Sequence, residues 1–305
     1  MNSAAARTKL WSGIALTALA ALSWSTAGLF PRVVSTDVFT TLFWRSSLGG
    51  VSVLVIQALL NKRNDLPSLW RLTRAEVWMS LAGSGSMVCF IAAFFFAPVA
   101  DVVFIYSAFP IITLLFSALL LGTVIKRIDV LCTATVVLGM GLIVWGQSSV
   151  HNLVGTALSL AATLQFALIT IGIKRNPTAE MMKVTYVGAF VAALAMAPFT
   201  SFHGTSGQDL AWLWLYGVLN VGVGFGLYLM GVRRIKAVLA SLVCMIEIPL
   251  APLWVYAFFG EIVSRQSLLG GSVILLAVVV NVVSSGRAAP ATSSPEVVPA
   301  PSARP

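Results

Sequence analysis

Ten apolar runs separated by short polar segments constrain the fold of this chain more than any other feature of its sequence. Most of them approach the roughly 20 residues that a helix needs to cross a bilayer. Only 10% of the 305 residues are charged and 58% are hydrophobic, which leaves too little charge to cover a soluble globule. We therefore predict an all-α polytopic membrane protein with ten transmembrane helices and no folded soluble domain. The predicted spans are Leu10–Val34, Val38–Leu60, Ala75–Phe96, Asp101–Leu121, Ile128–Trp145, Val154–Ile173, Lys183–Met196, Leu210–Met230, Lys236–Phe259 and Ser267–Ser284.

Positive charge is distributed asymmetrically along the chain. If the N-terminus is cytoplasmic, all but three of the 19 Lys and Arg residues fall on the cytoplasmic side, the exceptions being Arg32, Arg45 and Arg265. Short cytoplasmic loops of membrane proteins carry such an excess. We predict a multi-pass protein of a bacterial inner membrane with both termini in the cytoplasm. The net charge of +9 is then explained by the Lys and Arg of the cytoplasmic loops. The expected anionic partner is therefore the lipid bilayer and not nucleic acid.

Cysteine and histidine are scarce and scattered. The three cysteines lie inside apolar runs, and the two histidines fall in predicted loops. Disulfide frameworks and Cys- or His-based metal sites need clustered spacings. We therefore expect no metal, no cofactor and no catalytic residue, and we predict that the chain is not an enzyme.

The two halves of the sequence repeat a common pattern. A shift of 139 residues superposes glycines of the third and eighth helices and prolines of the fourth and ninth. After one residue of slippage the glycines that follow the fourth and ninth helices also match. The matched pairs are Gly83 with Gly222, Gly85 with Gly224, Pro110 with Pro249 and Gly122 with Gly260. We predict a first repeat over 1–147, with helices one to five, and a second over 148–285, with helices six to ten.

An odd number of helices in each repeat has a topological consequence. The second repeat must enter the membrane upside down relative to the first, and inverted repeats are typical of transporters that alternate between two open states. After the second repeat, residues 286–305 are rich in Pro, Ala and Ser. This composition predicts a disordered cytoplasmic tail.

Several short motifs in this order resemble the ten-helix, EamA-type members of the drug/metabolite transporter superfamily. They are Ala21-Leu22-Ser23-Trp24-Ser25-Thr26, Phe43-Trp44-Arg45, Glu247-Ile248-Pro249, Phe259-Gly260-Glu261 and Leu269-Gly270-Gly271. The resemblance covers nearly all of 10–285 and extends to bacterial amino-acid exporters, including those that export aromatic amino acids. It implies a substrate cavity walled by helices one to four and six to nine, with helices five and ten at the periphery. The first half departs from the pattern, because Gly122-Thr123 stands where the family has Gly-Glu.

Glu247 is the most informative single residue. It lies about midway along the ninth predicted span, where an acidic group costs roughly 2.5–3.5 kcal/mol on insertion scales. Pro249 follows and is expected to release the carbonyl of Met245 from helical bonding. A carboxylate beside free carbonyls suits an ammonium group or a proton. The alternative is a protonated Glu247 that hydrogen-bonds to a neighbouring helix.

Two further prolines are expected to break helices within the membrane. Pro252 removes the partner of the Ile248 carbonyl, and Pro110 removes the partner of the Tyr106 carbonyl in the fourth helix. Tyr106 itself offers an aromatic face and a hydroxyl to a cavity, although a packing or interfacial role is the alternative. We assign helix-break or gating roles to Pro110, Pro249 and Pro252.

Aromatic and amide side chains complete the predicted substrate site. Aromatic rings suit stacking on an apolar or aromatic substrate, with packing or interfacial belts as the alternative. Mid-span amides suit substrate binding or hydrogen bonds between helices. The candidates are Trp24, Trp44, Tyr186 and Tyr228 among the aromatic residues, and Gln165 and Asn220 among the amides.

Arg45 lies about a third of the way into the second predicted span. It could hold a substrate carboxylate, but we favour a structural role in which it extends outward and pairs with Asp101 or Asp37. Asp101 itself is predicted to cap the fourth helix.

The function that these observations favour is export of small amphipathic metabolites, with amino acids, aromatic or otherwise neutral, as the first candidates. Uptake or efflux of vitamins or drugs by the same cavity is the second transport hypothesis. A membrane-embedded enzyme or scaffold is the alternative from another class, and it would need a convergent set of His, Asp or Cys that the sequence does not show.

Overall fold

The computed structural model describes residues 3–60, 71–146, 149–202, 205–232, 234–235 and 237–288. Within these ranges, ten helices are long and apolar enough to cross a membrane, which confirms the predicted fold class. They are numbered here as spans one to ten: Arg7–Val33, Val38–Leu59, Arg74–Phe96, Val99–Leu121, Arg127–Trp145, Val150–Arg175, Met181–Phe199, Gly207–Val232, Leu242–Phe259 and Arg265–Ser284. Most of the predicted tail, 289–305, lies outside the described residues, and 286–288 continue the last helix.

Five of the spans are built from more than one helical segment. The α-helices are α1 (Ser3–Ser25), α2 (Phe30–Val33), α3 (Val38–Leu60), α4 (Arg74–Phe96), α5 (Val99–Tyr106), α6 (Phe109–Leu121), α7 (Arg127–Trp145), α8 (Val150–Arg175), α9 (Met181–Met196), α10 (Gly207–Tyr216), α11 (Gly224–Val232), α12 (Ala237–Cys244), α13 (Glu247–Phe259) and α14 (Arg265–Ala288). Short 3₁₀ turns occupy Thr26–Gly28 and Ala197–Phe199, and a π-helix occupies Gly217–Val223. The composite spans are one, four, seven, eight and nine.

Contacts between residues at or near the ends of the spans fall into two sets, one at each end of the bundle. At one end, which we call the basic end, Arg234 Nη1 donates to Ser12 Oγ at 3.2 Å, and Arg175 Nη2 donates to the carbonyl of Leu120 at 2.5 Å. At the opposite end, Arg32 pairs with Glu261. Successive spans therefore run in alternating directions, and the predicted topology would put the basic end in the cytoplasm.

A capping box starts the third span at the basic end. Glu76 Oε2 accepts from the Thr73 N–H at 2.8 Å, and the Glu76 N–H donates back to Thr73 Oγ1 at 3.2 Å. These bonds satisfy N–H groups that a helix start leaves without partners. The other oxygen, Oε1, accepts from the Glu180 N–H at 2.9 Å, so the start of span three also fixes the entry to span seven.

The eighth span starts with the same device at the opposite end. Asp209 Oδ2 accepts from the Ser206 hydroxyl at 2.7 Å, and the Asp209 N–H donates back to Ser206 Oγ at 3.0 Å. Its second oxygen accepts from the Ser35 N–H at 2.9 Å, which fixes the entry to span two. Spans three and eight would be mates in the predicted repeat, as would spans seven and two. The two clamps thus occupy the positions that an inverted repeat would give them.

A side-chain cap starts the second span. Asp37 Oδ1 accepts from the Phe39 N–H at 2.8 Å, and Oδ2 accepts from the Thr40 hydroxyl at 2.6 Å. Burial alone would raise the pKa of the Asp37 carboxyl, but these hydrogen bonds outweigh burial and hold the pKa below its usual value. The carboxylate is thereby kept ionised at the helix start, where the helix dipole favours negative charge.

The breaks in spans four and nine have matching geometry. Helices α6 and α13 both contain 13 residues, and both end at a glycine in the left-handed region, with φ of 66° at Gly122 and 67° at Gly260. A left-handed glycine is the usual way to end a helix. Pro110 is the second residue of α6 and Pro249 is the third of α13, so the matched prolines differ by one place within their helices.

One predicted consequence of Pro249 is wrong. The Met245 carbonyl is not left free, because it accepts a hydrogen bond from the Ile248 N–H at 3.2 Å. The chain tightens into a turn between α12 and α13 and thereby satisfies this group. Pro252 does lie inside α13, as expected.

Spans five and ten form a closely packed pair. A Cβ added at Gly139 would lie 2.8 Å from the Gly270 carbonyl oxygen and 2.7 Å from Ile274 Cγ1. Only glycine permits this backbone approach. Nearer the basic end, Asn281 Nδ2 of span ten donates to Asp129 Oδ1 at the start of span five, at 2.8 Å.

Candidate substrate site

Glu247 is the first residue of α13, directly after the break in span nine. Its carboxylate is partly buried and makes no hydrogen bond or ion pair within the described part of the chain. Its charge, when the group is ionised, acts on the hydroxyls of Tyr106 and Tyr228 and on the thiol of Cys244, which therefore lie near it. The start of α13 favours an anion through the helix dipole. The break thus places an acidic group near two tyrosines that belong to different halves of the chain.

The first wall beside this carboxylate is aromatic and belongs to spans three, four and six. The Tyr106 ring lies 4.5 Å from Phe90, 5.7 Å from Phe166 and 6.0 Å from Phe109, measured between ring centroids. Such separations are typical of interacting aromatic pairs. Gln165 adjoins the wall and donates from Nε2 to the Ala161 carbonyl at 3.2 Å.

The second wall belongs to spans one and eight. The Trp24 ring lies 5.3 Å from both Phe225 and Tyr228. Its Nε1 donates to the Asn220 carbonyl at 2.9 Å. Gly224 lies directly beneath the indole, because a Cβ there would meet Trp24 Cδ1 at 2.8 Å. Glycine at this position lets the indole pack flat against span eight.

Asn220 joins spans one, two and eight. Its side chain is 5% exposed and lies in the π-helix of span eight. Nδ2 donates to the Ser23 carbonyl at 3.0 Å, and Oδ1 accepts from Arg45 Nη2 at 3.5 Å. Of the two roles considered for this amide, the observed contacts are those between helices. The Trp24 indole bonds to the Asn220 backbone, so Asn220 also helps to position that ring.

Arg45 is buried in the bundle and does not extend outward. Its side chain is 5% exposed, and Cζ lies 4.7 Å from the centre of the Tyr216 ring, a cation–π geometry. Nε and Nη1 have no hydrogen-bond partner within the described residues. The predicted pairing of Arg45 with Asp37 or Asp101 is wrong, because its neighbours are aromatic and amide groups on span eight.

The predicted capping role of Asp101 is also wrong. Helix α5 starts at Val99, two residues before Asp101, and its N-cap is Pro98, which forms no side-chain cap. Asp101 is therefore in the first turn, where its charge suits the helix dipole. An N–H at this helix start is instead bound by Glu261, since the Val99 N–H donates to Oε1 at 3.0 Å.

The structure does not bring two of the predicted aromatic residues to Glu247. Trp44 packs against Phe43 at 5.3 Å and against Phe202 at 6.5 Å, towards the opposite end. Tyr186 is fully buried and packs against Phe190 at 6.4 Å. Both belong to aromatic packing clusters of spans two and seven, which is the alternative that the sequence left open.

Comparison with known proteins fits this architecture. A model of the EamA-like transporter family matches residues 11–145 and again 153–283. The chain belongs to the EamA-like transporter family. A protein of Archaeoglobus fulgidus called an uncharacterized transporter is 24% identical over 272 residues, which cover 88% of this chain and 95% of that protein. A solved crystal structure superposes on 91% of this chain and 99% of its own, with a TM-score of 0.65 and 18% identity, and so shows the shared fold alone.

Sequence reasoning missed several aromatic residues of this EamA-like transporter's site. Phe90, Phe109, Phe166 and Phe225 contact the rings of Tyr106 or Trp24. Phe109, Phe166 and Phe225 each adjoin a singled-out residue in the sequence, and that proximity was the available signal, whereas Phe90 lies five residues after Gly85 and had no such neighbour. Phenylalanine is common in any membrane helix, so composition alone does not separate these four from lipid-facing ones.

Proposed function

We propose that this EamA-like transporter is a secondary exporter of small amphipathic metabolites across a bacterial inner membrane. Amino acids with aromatic or other neutral side chains are the first candidates. Transport proceeds by alternating access, in which the two predicted inverted repeats rock around Glu247 and the aromatic walls.

The observation that carries the proposal is a single carboxylate between two aromatic walls. Glu247 lies near enough to Tyr106 and Tyr228 for its negative charge, when it is ionised, to act on their hydroxyls, and no cation within the described residues pairs with it. An ammonium group complements both the carboxylate and the faces of aromatic rings. A ring or aliphatic side chain of the substrate complements the Trp24 and Phe166 surfaces. A neutral amino acid carries both features.

Helix packing supports loading from the basic end. At the opposite end α5 packs against α13, whereas α6 and α12 form no comparable pair at the basic end among the described residues. Packed helices thus cover the site on the side of Glu247 that faces the opposite end and cover it less on the side that faces the basic end. If the basic end is cytoplasmic, as the charge distribution predicts, substrate enters from the cytoplasm and leaves outward.

Flux into proteoliposomes tests the proposal. The panel contains labelled phenylalanine, tryptophan, leucine and threonine, together with phenylethylamine, which lacks the carboxylate, and phenylpropionate, which lacks the ammonium group. We expect flux of at least one amino acid and of phenylethylamine, but not of phenylpropionate. Absence of flux for every amino acid would overturn the substrate class, and a preference for phenylpropionate would overturn the role of the acidic site.

Glu247→Gln tests the residue that carries the argument. Loss of a charge-assisted contact of about 1.5–3 kcal/mol corresponds to roughly 10- to 100-fold weaker binding of ammonium-bearing substrates. Tyr256→Phe is the matched control, because Tyr256 lies on the same helix, α13, but is 57% exposed. Unchanged affinity and unchanged pH dependence in Glu247→Gln would reduce Glu247 to a structural role.

A further inference from the structure

One carboxylate joins three chain segments at the opposite end of the bundle. Glu261 Oε2 accepts from Arg32 Nε at 2.7 Å and lies 2.7 Å from Arg32 Nη2, while Oε1 accepts from the Val99 N–H at 3.0 Å. Arg32 also donates to the carbonyls of Gly28 at 3.2 Å and Phe94 at 3.3 Å. Glu261 thereby connects the end of span one, the start of α5 and the loop after α13.

Close packing lies next to this ion pair. A Cβ at Gly28 would lie 2.6 Å from Val99 Cγ2, so the end of span one touches the start of α5 without a gap. Trp254 Nε1 donates to Ser25 Oγ at 3.0 Å and fastens α13 to span one. These contacts hold the end of span one against α5 and α13, and the ion pair with Glu261 adds charge-assisted bonds to them.

The basic end has the same turn and the same kind of cation, but the residue after the glycine of the turn is not an acid. Helix α6 ends at left-handed Gly122 just as α13 ends at Gly260, and the next residue is Thr123 in place of glutamate. Arg175 ends span six as Arg32 ends span one. The Arg175 Nη2 donates to the Leu120 carbonyl at 2.5 Å, whereas Arg32 pairs with a carboxylate.

We infer that Glu261 is a one-sided latch, which holds the transporter closed at the opposite end and open at the basic end. Its bonds to Arg32 and to the start of α5 must break before the opposite end opens. In the reverse state the equivalent turn at Thr123 would approach the start of α12, and Thr123 offers no carboxylate to bind it. The inference rests on the proposed alternating access and adds a resting state and the residue that sets it.

Distance measurements between paired spin labels test the latch without any substrate. In a variant whose three native cysteines are replaced, one pair of exposed positions, Val150 and Ile262, spans the opposite end. A second exposed pair, Leu10 and Val124, spans the basic end. In the otherwise native chain we expect the short distance to dominate at the opposite end and the long distance at the basic end.

Two substitutions shift these populations in the same direction by independent routes. Glu261→Gln removes the ion pair, and we expect the ratio of open to closed states at the opposite end to rise about tenfold, with a shorter distance at the basic end. Thr123→Glu supplies the missing acid, and we expect it to favour closure of the basic end by a similar factor. Thr123→Gln, which has the same length without the charge, is the control.

The outcomes separate the latch from the proposed substrate. If Glu261→Gln and Thr123→Glu both leave the two distance distributions unchanged, the latch is overturned even if amino acids are transported. Equal shifts in Thr123→Glu and Thr123→Gln would also overturn it, because charge would not be the cause. Shifted distances without amino-acid flux would support the latch and remove the substrate class instead.

Discussion

Substitution of Gly224 tests the wall that Trp24 forms. In Gly224→Ala the new Cβ would lie 2.8 Å from Cδ1 and 3.2 Å from Cε2 of the indole, so the ring must retreat by about 1 Å to regain a normal contact. Retreat weakens the hydrogen bond from Nε1 to the Asn220 carbonyl, worth about 1 kcal/mol, and the contact with Tyr228, worth about 1 kcal/mol. Overpacking by the new methyl group adds about 1–2 kcal/mol to the loss of folding stability.

Gly226→Ala provides a matched control in the same helix. A Cβ there would meet only Ile56 Cδ1, at 3.8 Å, which is an ordinary contact. Both substitutions gain about 1 kcal/mol of helix propensity, so the difference between the variants isolates the Trp24 contacts. We expect Gly224→Ala to be about 3–4 kcal/mol less stable than Gly226→Ala.

Unfolding in mixed micelles with rising dodecyl sulfate, followed by circular dichroism, measures this difference. Substrate affinity should fall in Gly224→Ala and stay unchanged in Gly226→Ala if the indole also contacts substrate. Equal stability of the two variants would refute the packing argument. A stability difference without a change in affinity would remove Trp24 from the substrate site and leave it a packing role.

Three further substitutions test individual polar contacts by the same unfolding assay. Asn281→Leu removes the donor to Asp129 and should cost about 2 kcal/mol, whereas no loss would show that the buried carboxylate finds another donor. Asp37→Ala removes a helix cap and should cost about 1 kcal/mol at neutral pH. The folded-state pKa of Asp37 is lowered, so this stabilisation is present above the ordinary carboxyl pKa and is lost as the pH falls through the lowered value. The stabilities of the variant and the parent should therefore converge in acid. Trp254→Phe removes the donor to Ser25 and should cost about 1 kcal/mol. Ser25→Ala should have the same effect, and the loss of stability should not double when the two substitutions are combined.

The spans could be predicted from the sequence because a bilayer imposes one dominant condition. An apolar run of sufficient length is enough to define a span, and the charges at its ends fix its limits to within a few residues. The breaks at Pro110 and Pro249 were likewise predictable, since the pyrrolidine ring removes a backbone donor wherever it occurs. The turn that satisfies the Met245 carbonyl was not, because it depends on how α12 and α13 adjust to one another.

Side-chain partners across the bundle were the least predictable features. The position of Arg45 suggested a partner near the membrane surface, yet its neighbours are Tyr216 and Asn220, which lie far away in the sequence. Only the packing of span two against span eight brings them together. Trp44 and Tyr186 had the same residue types and depths as Trp24 and Tyr228, so composition and depth did not distinguish the rings near Glu247 from those in packing clusters.

The paired capping clamps have a mechanical consequence. Glu76 holds the entry to span seven, and Asp209 holds the entry to span two, and both clamps are formed in the same conformation. Contacts that exist together at both ends do not alternate as gates do. They instead tie span three to span seven and span two to span eight, so we expect the two repeats to rock about these contacts while the distances from Glu76 to Glu180 and from Asp209 to Ser35 stay constant.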